Sequence, residues 1–295
     1  MSRSQAEKPQ NGSENAAIAD EVSRLVNSLA DTPGCAAAID EGREIAAIVQ
    51  ALGLSADLCA AVRLYPLVRD ACVDIKVIEN NSFGDLSKVV SDLVALGRFS
   101  LPADWRPGVS LAVQQSEALR KMLLAVVSDV RLVLVRVAEQ LYRLRKAKDA
   151  PGDEQRAIAI ETREIYAALA SRLGVWQLKW ELEDLSFRYL DPDTYLSIAQ
   201  SLKEKRTERE RFIERVKSTL QAELSKQGIK AEISGRPKHI FSIWRKMQRK
   251  DRGLESLYDI RAVRILVDDV KNCYAALGAV HNLWPYIPGE FDDYI

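Results

Sequence analysis

The sequence predicts a mainly α protein that ends in an α+β part. Three observations carry that expectation. Apolar residues recur at helical spacing from Ala17 to about Gln227, a strand-like period of two enters only at Ile229, Ala231 and Ile233, and the 295 residues exceed one typical domain. With 42 basic and 42 acidic side chains the chain carries no formal net charge, so any attraction to an anionic partner must come from a local patch.

Residues 1–16 are polar, contain too little apolar material to fold, and are expected to be a disordered tail. Neither an apolar signal core nor a run of about eighteen apolar residues occurs, so no secretion signal or membrane span is expected. Ala17–Ala30 and Glu41–Leu52 have helical spacing, and Gly53 reads as the stop of the second. Ser110–Lys146 is the longest periodic segment. Its β-branched residues are compatible with a strand, but its length favours a helix or helix pair. Pro151-Gly152 then breaks the pattern. Helical segments resume over 153–173, 176–189 and a charged stretch from Asp191 to about Gln227, whose mixed charges suit a solvated face. The expected organisation is therefore a tail (1–16), a helical domain (17–150), linker helices (151–227) and an α+β part (228–295). Tryptophans in helical patterns are expected in the core. Four cysteines without Cys-x-x-Cys spacing and only two histidines argue against a zinc cluster and suit a reducing cytoplasm.

The chemistry concentrates near the C-terminal end. Gly235-Arg-Pro-Lys-His-Ile-Phe-Ser-Ile-Trp-Arg-Lys-Met247 reads as a helix with Pro237 at its first position. Ile240, Ile243, Trp244 and Met247 then share a buried face, while Lys238, Ser242, Arg245 and Arg249 share the other with Lys246 beside them. From Arg236 to Arg252 there are seven Lys/Arg and one acid, Asp251. Tyr258-Asp-Ile-Arg-Ala-Val-Arg-Ile265 follows as a strand, with Asp259 at its entrance and Arg261 and Arg264 interrupting the apolar run. A carboxylate facing a cationic helix suits a nucleoside triphosphate and its Mg²⁺. A merely solvated basic face and an RNA-phosphate-binding helix remain alternatives, although few aromatics are interleaved with the basic positions as single-strand binding would require.

These two segments resemble the synthetase motifs of the RelA/SpoT family of (p)ppGpp synthetases. The resemblance implies a nucleotidyltransferase-like mixed sheet with flanking helices, and transfer of pyrophosphate from ATP to the 3′-hydroxyl of GTP or GDP. It makes Arg236, Lys238, Ser242 and Lys246 contacts to the nucleotides, with His239 and Arg264 as further candidates, and Asp259 the magnesium ligand. Glu290-Phe-Asp-Asp293 is similar to the acidic signature of the synthesis-only branch, in the residues Glu290, Asp292 and Asp293.

The resemblance also implies that the helical N-terminal domain is of the HD hydrolase type, which in bifunctional relatives removes the 3′-pyrophosphate. Here the ligand positions read Glu41, Tyr65, Pro66, Arg69 with Asp70, Glu139 and Arg143, and no histidine precedes His239. A metal site that activates water needs converging imidazoles and carboxylates, so a degenerate, hydrolytically inactive domain is expected. Further family motifs, a guanine-stacking tyrosine and a catalytic glutamate, would lie past Ile295, as would domains that contact the ribosome. The 295-residue chain is therefore expected to be silent alone. A helical regulatory module is the alternative reading.

Overall fold

The computed structural model describes residues 10–80, 86–97, 117, 129–204, 206–236, 239–250, 253, 262–286, 291, 293 and 295. Packing divides the chain into two units, one ending at Leu190 and the other starting at Asp191. The segments grouped by sequence as linker helices are thus shared between them.

The first unit is helical among its described residues. It contains α1 (Gln10–Ser28), α2 (Ala36–Ala51), α3 (Ala56–Arg69), α4 (Ile75–Glu79), α5 (Leu86–Gly97) and α6 (Val130–Lys146). After a 3₁₀ turn at Ala147–Asp149 come α7 (Gly152–Glu161), a π turn (Thr162–Tyr166), α8 (Ala167–Arg172) and α9 (Trp176–Leu190). Gly53 ends α2 with φ 74°, as its position past the last periodic residue predicts. One correction concerns the tail, since α1 begins at Gln10, inside the stretch expected to be disordered.

The long apolar segment is described from Asp129. There the Asp129 side chain accepts the Arg131 N–H at 2.9 Å and starts α6; residues 118–128 lie outside the described residues. Strand character does not materialise in α6, because Leu132, Val133, Val135, Val137, Leu141 and Leu144 are buried around its inner faces, where β-branched residues lose little by being fixed.

Two apolar clusters build this unit. One joins Ile45, Val49, Val62, Tyr65 and Leu93 with α6, α8 and α9 through Leu141, Leu169 and Leu182. The other joins Val22 and Val26 of α1 with Ile39, Leu64, Leu67, Ile78 and Val90. The approach of α2 to α3 depends on Gly42, where an added methyl would meet the Arg63 carbonyl oxygen at 2.8 Å. Cys35 and Cys72 also meet in the second cluster as a disulfide, a pairing their spacing of 37 residues had not suggested. None of the four described tryptophans is fully buried. Trp176 is 50 % exposed and Trp284 37 %, because each lies at a helix boundary rather than mid-face.

The second unit comprises α10 (Pro192–Glu204), α11 (Arg206–Lys226), β1 (Glu232–Arg236), α12 (Ile240–Lys250), β2 (Ala262–Leu266) and α13 (Val270–Leu283). This is the strand–helix–strand–helix order that the change of period past Gly228 predicts. The two strands are antiparallel, Ile233 facing Ile265 and Ser234 facing Arg264. Ile233, Ile265 and Val267 pack against Leu224, Ile229, Ala276 and Ala279, so this face of the ribbon lies on α11 and α13. Among the described residues no helix is long and apolar enough to cross a membrane.

Candidate functional site

At the centre of the first unit the structure brings together the positions Glu41, Tyr65, Pro66, Arg69, Asp70 and Glu139. Glu41 is on α2, Tyr65, Pro66 and Arg69 are on the last turns of α3, and Glu139 is on α6. Arg69 binds Glu41 through a two-pronged contact, Nη1 donating to Oε1 at 2.6 Å and Nη2 to Oε2 at 2.9 Å. The same guanidinium donates to Asp70 at 2.8 and 2.9 Å and reaches Glu139 at 3.5 Å. It also lies over the Tyr65 ring, 5.5 Å from its centroid.

Beneath it, the fully buried Tyr65 donates its hydroxyl to Glu139 at 3.2 Å and accepts from Arg136 at 3.1 Å, and Arg136 is ion-paired with Glu139. Pro66 is buried and has no donor or acceptor in its side chain.

The electrostatics follow from this packing. The Glu41 and Asp70 carboxylates hold the Arg69 guanidinium charged well above its ordinary range. Burial opposes the charge on Arg136, but Glu139, Tyr166 and Tyr65 outweigh it and the guanidinium is held protonated. Burial and the neighbouring Glu139 push the Tyr65 phenol up, so it stays a neutral donor.

Arg143 extends the network outward, donating to Gln140 Oε1 at 2.9 Å and lying 3.8 Å from Glu161. Gln140 in turn donates to Thr162 Oγ1 at 2.8 Å, at the first residue of the π turn, and burial raises the Glu161 carboxyl above the usual carboxylate range. Arg136, Glu161, Thr162 and Tyr166 were missed by sequence reasoning. Arg136 had a signal, being three residues before Glu139 on one helix face. Glu161 and Tyr166 had none, since only the π turn, which shifts helical register, fixes their direction.

A hydrolytic metal does not fit these residues. The carboxylates that could serve as ligands are already neutralised by two guanidiniums, imidazole is missing from the sequence before His239, and position 66 offers no donor. Among the described residues no group of three or more His, Cys, Asp or Glu is arranged to hold a metal ion.

The second candidate site lies around α12. Gly235 and Arg236 complete β1, opposite Val263 and Ala262, and the helix is described over Ile240–Lys250; Pro237, expected at its first position, lies outside the described residues. The ladder holds Arg236 in the strand, and the amide of Ile243 closes the first helical turn on the His239 carbonyl at 3.1 Å.

Ser242 and Lys246, four residues apart, are both half-buried. On the apolar side Ile243 is fully covered, and Phe241 is buried, stacked on Trp244 at 5.4 Å, although the helical pattern had assigned it no role. Arg245 covers the Phe241 ring at 6.0 Å. Arg264 is exposed opposite Ser234.

Of the acidic signature, Asp293 accepts from the Tyr274 hydroxyl of α13 at 3.3 Å and from the Ile295 amide at 2.9 Å, and its charge pushes the Tyr274 phenol up. Lys238, Asp259, Arg261, Glu290 and Asp292 lie outside the described residues.

Comparison with known proteins agrees with both halves. The HD domain model matches residues 25–176, which contain the whole Arg69 network, so the first unit is of the HD class. The model of the region found in RelA and SpoT proteins matches 235–295. GTP pyrophosphokinases of Escherichia coli K12 and Photobacterium angustum are 45 % and 42 % identical over 86 % of this chain and 34 % of their own length. A Synechocystis protein named probable guanosine-3′,5′-bis(diphosphate) 3′-pyrophosphohydrolase is 39 % identical over 85 % of the chain and 32 % of its own length. The chain belongs to the RelA/SpoT family. It spans about a third of the length of the curated relatives it matches.

Proposed function

We propose that the chain is part of a synthesis-only GTP pyrophosphokinase, which moves the pyrophosphate of ATP to the 3′-hydroxyl of GTP or GDP, and that its HD domain is catalytically silent. The observation that carries this reading is the placement of Arg69, whose guanidinium is held by Glu41, Asp70 and Glu139 where a hydrolytic centre needs a metal. Relatives bearing the pyrophosphokinase name at 42 % and 45 % identity support the synthetic half.

In that half Arg236, Lys238, His239, Ser242 and Lys246 are the residues that contact nucleotide phosphates, with Arg264 as a further candidate. Asp259 is the carboxylate for Mg²⁺, which when bound supplies neutralisation of phosphate charge. Preorganised cations lower the barrier by stabilising charge where it develops and by holding the two nucleotides in line. Work in the cytoplasm and activation on the ribosome are part of the same reading.

The test is synthesis of labelled ppGpp by the synthetase that contains this chain. Asp259→Asn should abolish product while leaving the circular dichroism spectrum unchanged. Arg236→Ala should weaken binding of a non-hydrolysable ATP analogue by the ~1.5–3 kcal/mol typical of a charged hydrogen bond. Wild-type turnover by the asparagine variant would show that the cation is held elsewhere.

A further inference from the structure

We propose that Cys35 and Cys72 form a reversible thiol–disulfide modification site, with a low-molecular-weight disulfide of the glutathione class as its oxidant. The two residues are 37 apart in sequence, yet their Cα atoms lie 5.8 Å from each other, a separation a disulfide spans without backbone movement. Cys35 is the N-cap residue of α2 and is 2 % exposed; Cys72 follows the end of α3 and is half-buried.

What brings them together is the turn after α3. Ala71 has φ 58°, the left-handed region that a side chain disfavours, and it reverses the chain so that the Cys72 and Val73 amides both donate to the Leu67 carbonyl, at 2.8 and 3.1 Å. Apolar neighbours from three helices, Val22, Ile39, Leu64 and Leu67 among them, hold the pair in place. The other two cysteines, Cys59 and Cys273, are free, and burial together with the Asp57 charge raises the Cys59 thiol, leaving it less of the reactive thiolate.

The chemistry runs in two exchanges. Cys72, the more accessible, attacks one sulfur of glutathione disulfide as thiolate; a protein–glutathione disulfide forms, the glutathione S–S bond breaks, and one glutathione leaves with the proton Cys72 gave up. Cys35 then attacks the Cys72 sulfur, expelling the second glutathione, which takes the Cys35 proton. Two thiols are oxidised and one disulfide is reduced to two thiols, and excess glutathione runs both steps backward.

The bond ties the start of α2 to the end of α3, the two helices that Arg69 and Glu41 already join a few residues away. Oxidation therefore adds a covalent tie beside an electrostatic one, and reduction leaves the ion pair alone.

The experiment equilibrates the native full chain in glutathione buffers of graded oxidising strength, alkylates free thiols and maps the peptides by mass. A Cys35–Cys72 link that forms and is reversed by reduced glutathione, with Cys59 and Cys273 alkylated throughout, is expected. The melting temperature of the oxidised form should rise by roughly 5–10 °C. Cys35→Ser should leave one glutathione attached at Cys72, which separates loss of the resolving thiol from misfolding. Alkylation of all four cysteines in every buffer, a glutathione adduct at Cys72 in the unaltered chain with no link, or a link that reduced glutathione does not reverse in the native state would each overturn the proposal.

Discussion

Arg69 decides the character of the HD centre. A guanidinium is permanently charged and planar, so it can face Glu41 with two parallel bonds and still reach Asp70 and Glu139. Glu139 is 6 % exposed in its side chain and Glu41 14 %, so removing their counter-charge leaves anions that water reaches poorly. Arg69→Ala should destabilise the first unit by roughly 1–3 kcal/mol in urea unfolding, and Arg69→Lys should recover only part of that loss, because an ammonium lacks the fork. Glu161 gives the opposite sign. Burial raises its folded carboxyl above the unfolded value, so the protonated form is the one the fold favours; that contribution is complete below the unfolded range near pH ~4.3 and is lost as pH rises through the folded value. Glu161→Gln should therefore melt higher than the unaltered protein at pH 8, with the difference narrowing as both are acidified, as a pair of thermal scans will read. Glu41, Tyr65, Arg69 and Glu139 were legible in sequence only through the resemblance to the family's hydrolase motifs, in which each stands at a ligand position. Glu161 was not, because nothing local marks a carboxylate as buried.

The elements were legible where periodicity is strong and illegible where backbone geometry departs from it. Helices α2, α6 and α9 and the order of the second unit follow from apolar spacing, and Gly53 and Pro151-Gly152 mark breaks for stated stereochemical reasons. Gly235 and Arg236, which open the basic motif in sequence, belong to the strand rather than the helix, because the ladder with Val263 and Ala262 holds them extended. A tertiary pairing overrode a local preference. The π turn at Thr162–Tyr166 left no mark in the sequence, yet it points Thr162 at Gln140. Close approach of α2 and α3 is likewise invisible until the helices are packed. Gly42→Ala would set a methyl 2.8 Å from the Arg63 carbonyl oxygen, and the backbone must give; a loss of roughly 1–3 kcal/mol is expected despite the better helix propensity of alanine. Unchanged stability in that variant would mean that α2 and α3 sit farther apart than described.

At the scale of the whole molecule, one chain carries an HD unit whose ligand positions are ion-paired and a RelA/SpoT unit whose basic helix lies in sequence between the two strands of an antiparallel ribbon. Zero formal net charge conceals an uneven distribution, since Arg69 and Arg136 of the first unit are ion-paired with carboxylates while α12 carries four Lys/Arg and no acid in its sequence. The central claim is that the first unit has exchanged a metal for guanidiniums and does not hydrolyse (p)ppGpp. Its most direct test is to incubate the purified chain, which contains all of residues 25–176, with ppGpp labelled in the 3′-pyrophosphate and with Mn²⁺ present, and to follow release of labelled pyrophosphate. The account predicts release no faster than in buffer alone at any protein concentration. Release that rises in proportion to the protein would contradict it.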